Sequence, residues 1–316
     1  NLKTSEGREA ALKLIGEADA LIEGYRPGVM ERLGLSPDAC LERNPKLVYG
    51  RMTGWGQDGP MGQMAGHDIN YLAITGALHA IGPKEKPVPP LNIVADFAGG
   101  GMMLLVGILA AVYEAGASGQ GQVVDAGMSD CVPLLLGSAY TRMAAGNWDD
   151  ERECNMLDGA AYFYSVYECS DGKFISLGCI EPQFHAELLE LLGLADDPLF
   201  HRQLEKDGWS AAKAKLAEVF KGNTRDHWNK LFDGTDVCYG PVLSLREAPK
   251  HQHNKARKAF IEINGHMQGA PAPRFSRTAQ DFPTPPPEPG QHNEEALSDW
   301  GFGADEIASL KDAGAV

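Results

Sequence analysis

Residues 20–50 read ALIEGYRPGVMERLGLSPDACLERNPKLVYG, and two short apolar runs frame the stretch. Ala20-Leu21-Ile22 and Leu47-Val48-Tyr49 read as short buried strands. Between them lie a Gly-rich turn, a short helix near Val29–Leu33 and a second helix after the Ser36-Pro37 start signal. The second strand ends in the loop Gly54–Gly62. Helix–strand alternation with short connections predicts an α/β domain built on a mostly parallel sheet.

The same texture continues outward. Ser5 is placed to cap a helix running to about Ala18, with Ala11, Leu12, Leu14 and Ile15 on its apolar side. Residues 68–81 carry Ile69, Leu72, Ala73 and Gly76 at helical spacing. A Pro-rich loop (Pro87, Pro89, Pro90) then leads through Leu91–Val94 to Asp96-Phe97-Ala98-Gly99-Gly100-Gly101. From Met102 to about Glu114 the chain is apolar almost all round, the pattern of a buried helix. Gln122–Asp125 reads as a strand and Ser129–Met143 as another largely apolar helix.

After Gly146 the pattern changes. Asn147–Asp158 is polar, and Tyr162–Glu168 with Lys173–Gly178 predicts a hairpin around Ser170-Asp171-Gly172. Helices follow, and Thr235–Leu245 closes the unit. The expected layout is a large α/β domain over 1–127, a linker helix and loop over 128–159, and a small α+β domain over 160–245. A surface-wrapping connector over 246–293 and C-terminal helices over 294–316, returning to the large domain, complete it.

With 43% apolar and 22% charged residues in 316, the composition is that of a soluble globular protein. A formal charge of −15 argues against general affinity for nucleic acid or anionic membrane. It does not exclude one small basic pocket. Cys40, Cys131, Cys154, Cys169, Cys179 and Cys238 are scattered without a CxxC pair, which fits reduced thiols in a cytoplasmic protein. No apolar run of bilayer-spanning length and no signal peptide is evident. The chain opens at Asn1 inside what reads as a working fold, so a fragment or a processed start is expected.

Gly66-His67-Asp68-Ile69-Asn70-Tyr71 puts a histidine at the mouth of a helix. Residues four apart share a helix face, so His67 and Tyr71 can point into one cleft. The helix dipole favours the neutral imidazole there, as a general base requires. The plain alternative is a histidine that only caps the helix. Asp96, before three glycines, has the default role of an N-cap. The glycines would also clear the helix entrance, letting a ligand oxygen approach backbone N–H groups beside a carboxylate. That arrangement suits proton movement at a carbon next to a carbonyl.

Glu181, in Glu181-Pro182-Gln183-Phe184, is a third polar candidate or simply an acid at a helix start. Arg26 and Arg32 follow the Ala20–Ile22 strand end, where open α/β sheets bind ligands, and are candidate phosphate partners. Solvated surface arginines are the alternative. His251 and His253 lack a third metal ligand nearby. Met102, Met103, Met143 and Met156 read as core filling or as an adaptable wall for acyl chains. Gly99-Gly100-Gly101 lacks the spacing of a dinucleotide fingerprint.

Taken together, IEGYRPGVMERLGL (22–35), YGRMTGWGQDGP (49–60), GHDINY (66–71), Asp96–Val106, GQGQVVD (119–125) and EPQF (181–184) resemble the family III CoA-transferase and α-methylacyl-CoA racemase superfamily. The likeness extends through Pro273-Arg274-Phe275-Ser276 to the last helix. It implies an interlaced homodimer, each chain with a Rossmann-like large domain and a small domain threaded around its partner. It also implies a site shared between one chain's large domain and the other's small domain. A strand–helix–strand unit precedes the residues matching Asn1-Leu2-Lys3 in the family and is expected to be absent here.

Racemases of the superfamily carry His-Asp where this chain has His67-Asp68, whereas transferases generally lack that histidine. The aspartate matching Asp96 is an acid/base in racemases and the nucleophile in transferases. By resemblance the site is His67, Asp96 and Glu181, with Arg26, Arg32, Gly66, Asp68, Ile69, Asn70 and Tyr71 holding the acyl-CoA. Coenzyme A arrives with the substrate, so no separate cofactor is expected, nor a nucleic-acid or membrane partner. The implied reaction is racemisation of 2-methylacyl-CoA thioesters, in fatty acid metabolism. The rivals are CoA transfer through an acyl-aspartyl anhydride at Asp96 and a non-catalytic acyl-CoA-binding dimer.

Overall fold

Strand β1 (Ala20–Glu23) sits beside β2 (Val48–Thr53), and β2 beside β3 (Gln122–Gly127), all parallel, in a computed structural model that describes residues 1–279, 281 and 283–316. Successive residues of a strand face opposite sides. Tyr49 packs with Ile15, Met30, Leu35, Cys40 and Leu47 on one face of the sheet. Val48 packs with Leu104, Ile108, Ala111 and Ala126 on the other. A parallel strand covered on both faces needs an apolar run rather than an alternating one, and that is how Leu47-Val48-Tyr49 reads.

The first covering layer is α1 (Ser5–Glu17), α2 (Val29–Arg32) and α3 (Pro37–Arg43). Thr4, not Ser5, is the N-cap of α1, its hydroxyl accepting from the Gly7 N–H at 3.0 Å. After β2 come α4 (Asp68–Ile74) and α5 (Ala77–Ala80), then a π-helical segment (Ile93–Met102) that runs straight into α6 (Met103–Ser118). Helices α7 (Met128–Leu135) and α8 (Gly137–Ala144) follow β3. Chain contacts divide the molecule into Asn1–Arg152 with Gly290–Val316, and Glu153–Pro289. Residues 128–152, expected in a linker, thus belong to the first unit, where Met128 and Val132 of α7 pack with Tyr71, Leu72 and Ala95.

In the second unit β4 (Tyr164–Glu168) and β5 (Phe174–Gly178) form the expected hairpin. Helices α9 (Pro182–Leu192), α10 (Trp209–Lys221) and α11 (Arg225–Leu231) precede β6 (Tyr239–Val242), which pairs antiparallel with β5. Its core joins Phe163, Ile175, Leu188, Phe200, Leu216 and Phe220. The region expected to be a plain connector also holds α12 (Gln252–Ala256) and the hairpin of β7 (Phe260–Ile263) with β8 (His266–Gly269). Gln280 and Phe282 of that connector lie outside the described residues. Helices α13 (Asn293–Asp299) and α14 (Ala304–Asp312) return to the first unit, burying Leu297, Ile307 and Leu310 against Ala10 of α1.

Two sequence expectations fail at α6. Only one stripe of the helix is buried (Leu104, Ile108, Ala111, Ala115), while Leu105, Val106, Leu109 and Tyr113 are exposed. An apolar circumference shows that a helix has no polar side; it does not show that every side is covered. The continuous helix Ile93–Ser118 is also long and apolar enough, by length and composition, to cross a membrane. Asp96 and the three glycines interrupt the apolar string in the sequence, but not the helix.

Candidate active site

The carboxyl ends of β1 and β2 open onto a cleft of about 290 Å³. It is lined by Gly24–Pro27 after β1, by Thr53, Gly54 and Trp55 at the end of β2, and by Gly66, His67 and Tyr71 at the start of α4. Arg26 and, forty residues further along the chain, Gly66, His67 and Tyr71 are therefore brought to one place. This edge is where ligands bind in open α/β sheets, because the loops there can diverge without disturbing the core.

His67 occupies the N-cap of α4 with an extended backbone (φ −134°, ψ 172°) and is exposed at the cleft. The Asn70 Oδ1 accepts from the His67 N–H at 3.1 Å, which fixes the chain's approach to the helix. Tyr71 is buried, its hydroxyl donating to the Gly66 carbonyl and its ring meeting Trp55 edge-on at 4.7 Å. Burial raises the Tyr71 phenol above its ordinary range, and the charges of Asp96 and Asp68 add to the effect. Ile69 is exposed on α4.

The motif GHDINY needs its glycine for space. A Cβ on Gly66 would lie 2.7 Å from both the Trp55 and the Tyr71 rings. At Gly54 a Cβ would overlap the hydroxyl-bearing edge of the Tyr71 ring. The two motifs YGRMTGWGQDGP and GHDINY thus interlock ring against backbone, and this sets where α4 begins. Asp125, the acid of GQGQVVD, accepts from the Gln57 N–H at 3.2 Å and ties down the loop after β2. Burial raises its carboxyl above the usual range.

Asp96 lies in the fourth position of the π-helical segment, not at its cap, with Asn92 Nδ2 donating to its Oδ2 at 3.3 Å. Wide π-turns are uncommon and concentrate at functional sites. The expected open entrance beside Asp96 is not there. The Ala95 and Asp96 N–H groups both donate to the Asp68 carboxylate, at 2.9 and 2.8 Å. Gly99 and Gly100 are buried: a Cβ at Gly99 would lie 2.9 Å from Val132 Cγ2, and at Gly100 3.2 Å from Met52 Sδ. These glycines serve close helix packing rather than ligand access.

Arg51 was not singled out in the sequence, although an arginine in the apolar strand VYGRMT is the signal. It is buried; its Nε donates to Glu23 Oε1 at 2.8 Å and its Nη1 to Glu31 Oε1 at 2.9 Å. The second Glu23 oxygen accepts from the Tyr25 N–H at 2.7 Å. This charge network braces the turn that presents Arg26 to the cleft. Its hydrogen bonds hold the Glu31 carboxyl below its ordinary range. Arg32 is exposed on α2 and is not among the cleft-lining residues. Glu181 is exposed at the N-cap of α9 in the second unit. Of the methionines, Met102 is exposed and Met156 packs against the second unit's core.

A cleft at a parallel sheet's carboxyl edge, lined by an arginine and an imidazole, suits a phosphate-bearing acyl carrier. The sequence matches CoA-transferase family III over residues 1–293, and the chain belongs to that family. Within it, the chain is 44% identical over 313 residues to alpha-methylacyl-CoA racemase of Mus musculus, covering 98% of this chain and 82% of the mouse chain. The Homo sapiens protein of the same name is 41% identical over 314 residues, with the same coverage of 98% and 82%. A CaiB/BaiF family protein from Brucella suis has the same fold, with a TM-score of 0.79 at 24% identity over 95% of this chain and 80% of that one.

Proposed function

We propose that this protein interconverts (2R)- and (2S)-2-methylacyl-CoA thioesters by 1,1-proton transfer through an enolate. The observation that carries the reading is His67, exposed in the cleft, with Asp96 fastened to the very next residue. His67 and Asp96 serve opposite faces of the α-carbon; one removes the proton and the other returns one from the far side. The thioester assists because its α-proton is more acidic than that of an ester or carboxylate. Positioned acids and bases each contribute roughly a hundred- to ten-thousand-fold.

Arg26 binds a coenzyme A phosphate through charge-assisted hydrogen bonds. Gly66, Ile69, Asn70 and Tyr71 shape the acyl end, and Arg32 assists the nucleotide from α2. Glu181 joins the site from the second unit of a partner chain, in a homodimer whose large domain is Rossmann-like. The exposed apolar side of α6 supports a second copy as its cover, since monomers rarely leave such a face to water. Coenzyme A comes with the substrate, and no further cofactor takes part. The reading places the enzyme in the cytoplasm and in fatty acid metabolism.

The test is exchange of the α-proton in deuterated water with each enantiomer separately, followed by mass. Wild type exchanges both. His67→Ala and Asp96→Asn each lose racemisation but retain slow exchange with opposite enantiomers. If instead wild type exchanges neither, moves CoA to a carboxylate and yields an acyl-enzyme trapped by hydroxylamine, the protein is a transferase.

A further inference from the structure

We infer that Asp68 is the positioning residue that sets the distance between the two bases. The inference rests on the roles proposed for His67 and Asp96. Asp68 is the first residue of α4, immediately after His67, so its Cα lies one peptide, about 3.8 Å, from that of the histidine. Its side chain leaves its own helix and reaches the entrance of another, where a single oxygen, Oδ2, accepts from the N–H groups of Ala95 and of Asp96 itself. The route from one base to the other is therefore one peptide bond, one carboxylate and one hydrogen bond.

The chemistry favours that tie. First-turn N–H groups of a helix have no partner inside the helix, and they carry the positive end of its dipole. Here the helix runs unbroken from Ile93 to Ser118, and a carboxylate at its entrance makes charge-assisted bonds there. Asp68 is 6% exposed, and among the described residues it makes no ion pair. Its other oxygen, Oδ1, is buried without a hydrogen-bond partner. A buried carboxylate with one oxygen unsatisfied is costly, and a position serving stability alone would be filled more cheaply. Both of its bonds are spent on the backbone that carries Asp96.

A two-base reaction at one carbon needs its groups held to roughly 0.5 Å. Asn70, not Asp68, closes the chain onto His67. Loss of the Asp68 carboxylate accordingly frees Asp96 while the His67 turn keeps its own bond. The consequence is asymmetric: the half-reaction run by Asp96 suffers more than the one run by His67.

Asp96→Asn first identifies the enantiomer whose exchange depends on Asp96. Asp68→Ala is then expected to slow that enantiomer's exchange by about a hundredfold, the loss typical of a 1 Å misplacement, with a smaller loss for the other. It lowers kcat with KM little changed. Asp68→Asn keeps an acceptor oxygen without the charge and should restore the rate to within roughly tenfold of wild type, because a charged acceptor is worth about twice a neutral one. Amide hydrogen exchange over 93–102 is followed in parallel; Asp68→Ala should deprotect Ala95 and Asp96. An equal fall for both enantiomers, matching the folded fraction, assigns Asp68 to stability and overturns the inference. Unchanged protection of the two amides overturns it as well. Wild type that exchanges neither enantiomer refutes the racemase reading, and the amide measurement still decides whether Asp68 holds the Asp96 backbone.

Discussion

Gly54→Ala tests the interlock that places His67. Gly54 follows β2, and a Cβ there would overlap Tyr71 Cε1, Cζ and Oη. The ring cannot step aside cheaply. It is 7% exposed, its hydroxyl is bonded to the Gly66 carbonyl, and Trp55 stands edge-on to it. Overpacking of a tight core costs about 1–3 kcal/mol. If the ring is displaced, the hydroxyl bond goes too, adding about 0.5–1.5 kcal/mol. The sum is about 1.5–4.5 kcal/mol, and at about 2–4 °C per kcal/mol the melting midpoint falls by about 3–18 °C.

The assay pairs a thermal melt with α-proton exchange, because a displaced Tyr71 moves the start of α4 and with it His67. Gly116→Ala provides the control. That glycine lies inside α6 with nothing within 4 Å of an added Cβ, so Ala should stabilise by about 0.8–1 kcal/mol through helix propensity. Wild-type melting and exchange for Gly54→Ala would refute the interlock, since the three atoms nearest an added Cβ all belong to Tyr71.

Three further outcomes follow from the same structure. Arg26→Ala should raise KM for the CoA thioester with modest loss of kcat, as expected of a contact made equally in ground and transition states, and by more than Arg32→Ala does; equal KM effects would place both arginines at the nucleotide. Arg51→Met strands the Glu23 carboxylate in the interior and should cost about 3–5 kcal/mol in denaturant melts. It should also flatten the acid limb: the Glu31 carboxyl is depressed, so its contribution is present above about 4.5 and is lost as the pH falls toward its folded value. His185 is buried with Nε2 at 2.8 Å from the Tyr162 hydroxyl, and burial lowers its pKa. Folding therefore favours the neutral ring, stability falls as the pH drops below about 6.5, and His185→Gln should weaken that fall in melts between pH 7 and 5.

What the sequence determined by itself is local. Leu47-Val48-Tyr49 announces a strand covered on both faces, and Ser170-Asp171-Gly172 marks the hairpin of β4 and β5, because each pattern is written in neighbouring residues. His67 at a helix start is legible for the same reason, and four candidate residues do meet in one cleft. Tertiary structure decided the rest. The glycines after Asp96 look like an open ligand entrance until Val132 and Met52 are seen against them. An apolar helix looks buried until the sheet is found to cover one stripe of it. Asp68 reads as a substrate contact until its carboxylate is found on amides 27 and 28 residues away. Period and propensity report which residues share a face of one element. Which element then comes against that face depends on contacts between residues far apart in the chain, and only the packed fold fixes those.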